Sequence, residues 1–465
     1  MKKYISNISK AIGLAFVFVL VLSSCSKWID TDINIDPDSP ADVPMGLMLP
    51  AIEQSMGFTI VGNDVVRVTD MWMQYYDGTD RQSYTQARYQ LLPSGVNNVW
   101  NSIYTEIFMN AKVLIDKAEN TVGSESPYNA GVGRVITATT LGLATDVFGD
   151  MPFSDALKGN ENVLTPAFDS QETIYATINT YLDAAIADFG AAAADNHIDV
   201  DGDVVYDGDI AKWQKAAYSI KARHALQLSA VNGNAAYTAA LAAAANGFTS
   251  NDDDYQVPWE ADNHNPVFQF MEQRGDIRMA ATFIDLLKSN DDPRLPFFAA
   301  KDGDGEYTGS VLGSQNSDAS HPGSYVADAE APTVMMSYAE LLFIKAEANF
   351  ALGNTADAQA DFEAGVAASV LKVTGETNGA WLAANIIGTP VTLDLIMTQK
   401  YIATFGTSQA YADYRRVGLP SLIAPHPDGV LPAIPTRFPY AQDEITYNGA
   451  NVPAVTISDK LWWDQ

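Results

Sequence analysis

Two sets of residues carry chemistry by their type and spacing. The first is one thiol, Cys25, the only cysteine in 465 residues. The second is a dense aromatic segment between positions 72 and 100. There Trp72, Tyr75, Tyr76, Tyr84, Tyr89 and Trp100 alternate with Gln74, Asp77, Arg81, Gln82, Gln86 and Arg88. Flat rings stack on the C–H faces of sugars while amide, guanidinium and carboxylate groups hold hydroxyls. The same set suits peptides, whose side chains pack on rings and whose backbone bonds to amides. Trp72, Tyr75, Tyr76, Arg81 and Tyr84 are the expected ligand contacts. The competing reading makes most of these rings core of the first lobe.

Other chemistry finds less support. The histidines at 197, 224, 264, 321 and 426 have no His-x-x-x-His pair and no cysteine partner, against the clustering that zinc needs. His224 shares an apolar face with Ala217, Ile220 and Leu228, which reads as a packed, hydrogen-bonded histidine. Asp199, Asp201, Asp203 and Asp207 imitate the first half of a calcium loop. Val204 and Ile210 then stand where glycine and a bidentate glutamate belong. Asp302, Asp304 and Glu306 fail likewise at Tyr307. A looser oxygen-ligand Ca²⁺ site is what the acidic loops leave open, and no other cofactor is implied. Carboxylates are too numerous for counting to exclude a glycosidase pair. No Gly-x-Ser-x-Gly elbow or phosphate loop is present.

The elements around these residues explain where they act. Lys2, Lys3 and Lys10 precede an apolar run, 11–22, shorter than the ~20 residues that a membrane-spanning helix needs. Leu22-Ser23-Ser24-Cys25 then resembles a bacterial lipobox. Residues 1–24 read as a lipoprotein signal peptide, and Cys25 as the acylated N-terminus that anchors the chain. Residues 25–50, rich in Asp, Pro and Ser, read as a tether. Residues 51–465 read as a single helical domain. Cleavage leaves 24 basic against 57 acidic residues, a net of −33. Such a surface repels phosphate backbones, which argues against nucleic acid as a partner.

Helical periodicity dominates the body. Ile174, Ile178, Tyr181, Leu182, Ala185 and Phe189 form one stripe; Ile210, Trp213, Ala217, Ile220 and Leu228 form another. Further helices are expected near 132–147, 276–289, 335–352, 355–370 and 392–405. Leu352-Gly353, Ala358 and Phe362 match a tetratricopeptide helix pair. Long irregular stretches at 150–170, 246–275, 290–333 and 417–465 interrupt the helices, and loops of that length usually carry function. The fold class is thus all-α: a tetratricopeptide-like scaffold with long loop excursions and little β structure.

Several stretches together resemble the SusD/RagB nutrient-binding outer-membrane lipoproteins of the Bacteroidetes, in their SusD-like subgroup. Ile33-Asn34-Ile35-Asp36-Pro37 is similar to the family's opening. Tyr206 and Gly208-Asp209 with Lys212-Trp213 resemble its Tyr-x-Gly-Asp-x-x-Lys-Trp motif. Asp292-Pro293-Arg294 resembles another, and Met335 to Gly353 its tetratricopeptide helix. Gln399-Lys400-Tyr401, Asp413-Tyr414-Arg415-Arg416, Pro420, Pro435, Arg437, Tyr440, Glu444 and Asn448 resemble its C-terminal signature. Within these motifs Asp209 reads as a helix N-cap, and Arg415, Arg416 and Arg437 as braces on carboxylates or carbonyls. The resemblance implies a non-enzymatic cell-surface protein, lipid-anchored in the outer membrane. It would capture oligosaccharides or oligopeptides for a SusC-like TonB-dependent β-barrel transporter. A surface glycoside hydrolase and a helical adaptor without a small ligand are the alternatives.

Overall fold

The computed structural model describes residues 43–421 and 423–464. The signal peptide, Cys25 and most of the tether lie outside the described residues. Helix begins at Met45, six residues before the expected start of the body, because Leu49 and Ile52 are fully buried. Met45–Gln465 forms one compact unit.

Its frame is a series of helices, each packed on the one before and the one after. They are α1 (Met109–Asn120), α2 (Pro127–Phe148), α3 (Gln171–Phe189) and α4 (Ile210–Gln227). Then come α5 (Asn234–Ala244), α6 (Tyr338–Ala351), α7 (Thr355–Thr374) and α8 (Leu393–Ala403). Such nearest-neighbour stacking is the tetratricopeptide arrangement. Helix α2 is apolar all round and buried along nearly its whole length, with Pro127 pre-set for the first turn. Asp209 caps α4 by accepting hydrogen bonds from the backbone N–H of Ala211 at 3.0 Å and Lys212 at 3.2 Å. At the α6–α7 turn Ala358 and Phe362 are fully buried. Gly365 lets the Phe343 ring approach α7 closely.

Buried ion pairs, several of them long-range, clamp the series. Arg223 of α4 donates twice to Glu340 of α6 at 2.7 Å. Arg416 pairs with Glu347 and with Asp413, the latter at 2.8 Å, and Asp413 also holds Lys400 at 2.8 Å. Arg294 forks onto Asp292 and reaches Ser369 and Gln399. Arg415 donates to the carbonyls of Tyr411 and Thr436, and Arg437 to that of Phe148. Arg223, Arg294, Arg416 and Arg437 are buried and Arg415 partly so; removing one partner of the buried ion pairs costs about 3–5 kcal/mol.

Four short strands complete the body: β1 (Tyr76–Gly78), β2 (Tyr255–Val257), β3 (Ile277–Met279) and β4 (Thr333–Met336). β1 pairs antiparallel with β3, and β2 with β4. The helix expected from 276 therefore starts at Ala281, after a strand whose three residues are buried against β1.

Candidate functional site

Three segments meet on one face: 79–92, which holds a short helix at Arg81–Ala87, and the irregular 301–321 and 423–432. The Nε2 of Gln315 donates to the carbonyl of Thr79 at 3.3 Å. Arg88 Nε donates to the carbonyl of Asp428 at 2.8 Å, and the N–H of Val430 to that of Arg88 at 3.0 Å. Gly313 sits so close to Asp428 that a Cβ there would lie 2.6 Å from its Oδ2. The aromatic segment and two of the four long loops expected to carry function are thus one surface.

The chain fixes that surface from beneath. Asp77 of β1 is buried, its Oδ2 accepts from Ser310 Oγ at 2.6 Å, and burial pushes its pKa up to about 6. Opposite it on β3, Arg278 Nε donates to the carbonyl of Ser317 at 2.8 Å. These two bonds hold loop 301–321. Asp276 holds the other side: Oδ1 accepts from Ser83 Oγ at 2.9 Å and Oδ2 from Arg81 Nε at 3.3 Å. Gly78 permits the close turn between them, because a Cβ would stand 2.1 Å from the Ser83 carbonyl oxygen. Gln74, Arg81 and Tyr89 all have φ between 47° and 70°. Backbone strain in bulky residues clusters where structure serves function.

The five expected contacts divide. Trp72, Tyr75 and Tyr76 are 1%, 0% and 2% exposed, so they are core and present no face to a ligand. Trp72 packs edge-on to Tyr411 and Phe438, and its indole N–H donates to the Gln86 carbonyl at 2.9 Å. Tyr75 stacks on Tyr401 with ring centroids 4.2 Å apart. Tyr76 lines only a void of about 20 Å³ beside Arg67, room for one water. Arg81 and Tyr84 reach the surface: the Arg81 side chain is 48% exposed, and Tyr84 is half-buried with the Arg88 guanidinium 4.9 Å from its ring centre.

Loop 301–321 lines an open cleft of about 820 Å³. Lys301, Asp302, Asp304, Asn316, Asp318 and His321 line it, and Lys301 lies 5.6 Å from the Tyr307 ring centre. Lys301, Tyr307, Gln315 and Asp428 were not singled out from sequence as contacts. The only signal for them was the length of their loops. Two of the acids in the calcium-like loops, Asp203 and Asp302, brace their own turns. Asp203 accepts from the N–H groups of Val205, Tyr206 and Gly208 and from the Trp213 indole. Asp302 accepts from Asp304, Glu306 and Thr308. Among the described residues no group of three or more carboxylates and histidines is placed to hold a metal.

Rings, cations and carboxylates on a shallow polar face can bind a hydroxyl-rich ligand. A family model described as "starch-binding associating with outer membrane" matches residues 37–441. The chain belongs to the SusD-like family. A SusD/RagB family protein from Bacteroides thetaiotaomicron is 26% identical, with 91% of this chain and 99% of that one covered at a TM-score of 0.78. A chitin-binding SusD homologue from Flavobacterium johnsoniae is 23% identical, with 90% and 98% covered at 0.77, and shares the fold. A SusD homologue from Bacteroides fragilis is 20% identical, with 91% and 100% covered at 0.75. No curated protein matches the chain. Membership brings a nutrient-binding role and association with the outer membrane. Among the described residues no helix is long and apolar enough to cross a membrane.

Proposed function

We propose that the protein is a non-catalytic, cell-surface subunit, anchored through acylated Cys25, that captures oligosaccharides for a SusC-like TonB-dependent β-barrel transporter. The observation that carries the ligand class is the loop face. Tyr84 and Tyr307 each lie beside a cation, Arg88 and Lys301, and the carboxylates of Asp302, Asp304 and Asp318 line the cleft of loop 301–321. Rings offer stacking faces, and neighbouring donors and acceptors match the two-way hydrogen bonding of hydroxyls. The starch-binding description of the family and the chitin-binding relative support sugars over peptides.

Calorimetric titration with maltooligosaccharides, chitooligosaccharides and mixed peptides tests the reading. Tyr84→Ala and Arg88→Ala are each expected to weaken sugar binding by about 1–3 kcal/mol, the range for central anchors. Binding of peptides and no glycan would overturn the ligand class. Sugar binding unchanged in both variants would overturn the site. For the anchor, Cys25→Ala should lose lipidation and leave the surface, and a surface-retained variant would refute it. Detergent extraction of the membrane should bring down a large β-barrel with the wild-type protein.

A further inference from the structure

Helices α3, α4 and α5 and the C-terminal Trp462 enclose a separate cleft of about 520 Å³, within the range of small-molecule pockets, about 300–1,000 Å³. Tyr175, His224, Leu228, Ala236, Ala239 and Trp462 line it, and it shares no residue with the loop face.

His224 is the unusual member. It is 7% exposed, and sequence reasoning expected it to be packed and hydrogen-bonded. It is packed, but neither ring nitrogen has a hydrogen-bond partner among the described residues, and Nδ1 is fully shielded. Burial keeps the imidazole neutral, and with Nδ1 shielded only Nε2 is left to meet a ligand. An unmet polar group in such a place is unfavourable. Yet the fold makes room for it: a Cβ on residue 142 would lie 2.1 Å from His224 Cε1, so the ring fits only against Gly142.

The neighbouring rings are held in place. The Tyr175 hydroxyl donates to Asp146 at 2.5 Å, which fixes its ring edge-to-face with His224 at 5.7 Å. Trp462 lies 6.3 Å from Tyr175, and its backbone N–H donates to Gln171 Oε1 at 3.0 Å. Alanines of α5 supply a flat opposite wall. Lys221 is paired with Asp183, and Glu172 also lines the cleft.

We propose that this cleft binds a small, uncharged aromatic molecule bearing one hydrogen-bonding group, of the phenol class. Its ring lies between Tyr175, Trp462 and the alanine wall, and its hydroxyl meets the His224 imidazole. The inference is independent of the glycan reading.

p-Cresol and toluene, which differ only by the hydroxyl, are the probes, titrated into the full-length protein and read by saturation-transfer NMR and calorimetry. p-Cresol should bind about tenfold more tightly than toluene, the worth of one neutral hydrogen bond. His224→Leu should abolish that preference while toluene binding remains. Ala239→Trp, at an exposed position of α5, should fill the cleft and abolish binding of both, and it decides the matter should His224→Leu fail to fold. Three results each overturn the proposal: no saturable p-cresol binding up to about 10 mM, the preference surviving in His224→Leu, or Ala239→Trp binding like the wild type.

Discussion

Asp276→Ala is expected to destabilise the protein by about 3 kcal/mol and to weaken glycan binding along with it. The magnitude follows from what the carboxylate holds. Its side chain is 2% exposed, and it accepts a buried bond from Ser83 at 2.9 Å. A hydrogen bond to a charged group contributes about 1.5–3 kcal/mol. The second bond comes from the half-exposed Arg81 and is screened, so it adds only about 0.5 kcal/mol. Arg67 then loses part of its compensation. It is buried, burial lowers its pKa, and the Asp64 and Asp276 carboxylates oppose that shift. A body spanning Met45–Gln465 gains about 0.9 kcal/mol/K of unfolding entropy, so the melting temperature should fall by about 3 °C. Scanning calorimetry reads the shift, and titration with the best-bound oligosaccharide reads the ligand face. Asp276→Asn keeps an acceptor for Ser83 and should lose about half as much. An alanine variant melting within 1 °C of wild type, at about 1 kcal/mol, would refute the claim that this carboxylate positions segment 79–92.

Three further outcomes are expected. Glu53 is buried, and burial with the neighbouring Asp203 carboxylate holds its pKa well above 4.5, while its Oε2 accepts from the Val204 N–H at 2.8 Å. The native state therefore binds the proton more tightly than the unfolded chain. That contribution is complete below about pH 4.5 and is lost as pH rises through the native value. Glu53→Gln should flatten this fall, which urea unfolding at pH 5 and pH 8 would show. Gly78→Ala drives a Cβ against the Ser83 carbonyl and should cost about 1–3 kcal/mol in the same assay, with weaker glycan binding in calorimetry. Phe362→Ala opens the fully buried α6–α7 interface and should cost about 3–5 kcal/mol while leaving the affinity of the molecules still folded unchanged.

What was legible in the sequence follows the range of the interactions concerned. The Asp209 cap and the Gly353–Phe362 turn rest on partners a few residues away, so their spacing is visible in the chain. The aromatic segment is different. Trp72 and Tyr84 look alike locally, yet Trp72 is core because Tyr411 and Phe438 close over it, and Tyr84 stays at the surface. Those partners stand more than three hundred residues away, beyond any periodicity. Composition flagged loops 290–333 and 417–465 as functional but could not show that they meet segment 79–92, since Gln315–Thr79 and Arg88–Asp428 are again long-range contacts. The motifs that mark the family point the same way. Arg223, Arg294 and Arg416 are buried in ion pairs, where one substitution is costly, so they report the scaffold. The residues proposed to form the ligand face, Arg88, Asp318 and Asp428 among them, lie at or near the surface on segments whose anchors are Asp77, Asp276 and Arg278 beneath. Packing therefore places little constraint on their identity. Specificity in this fold can change through exposed loop residues while the anchors stay fixed, which is why the sequence identifies the family more readily than the ligand.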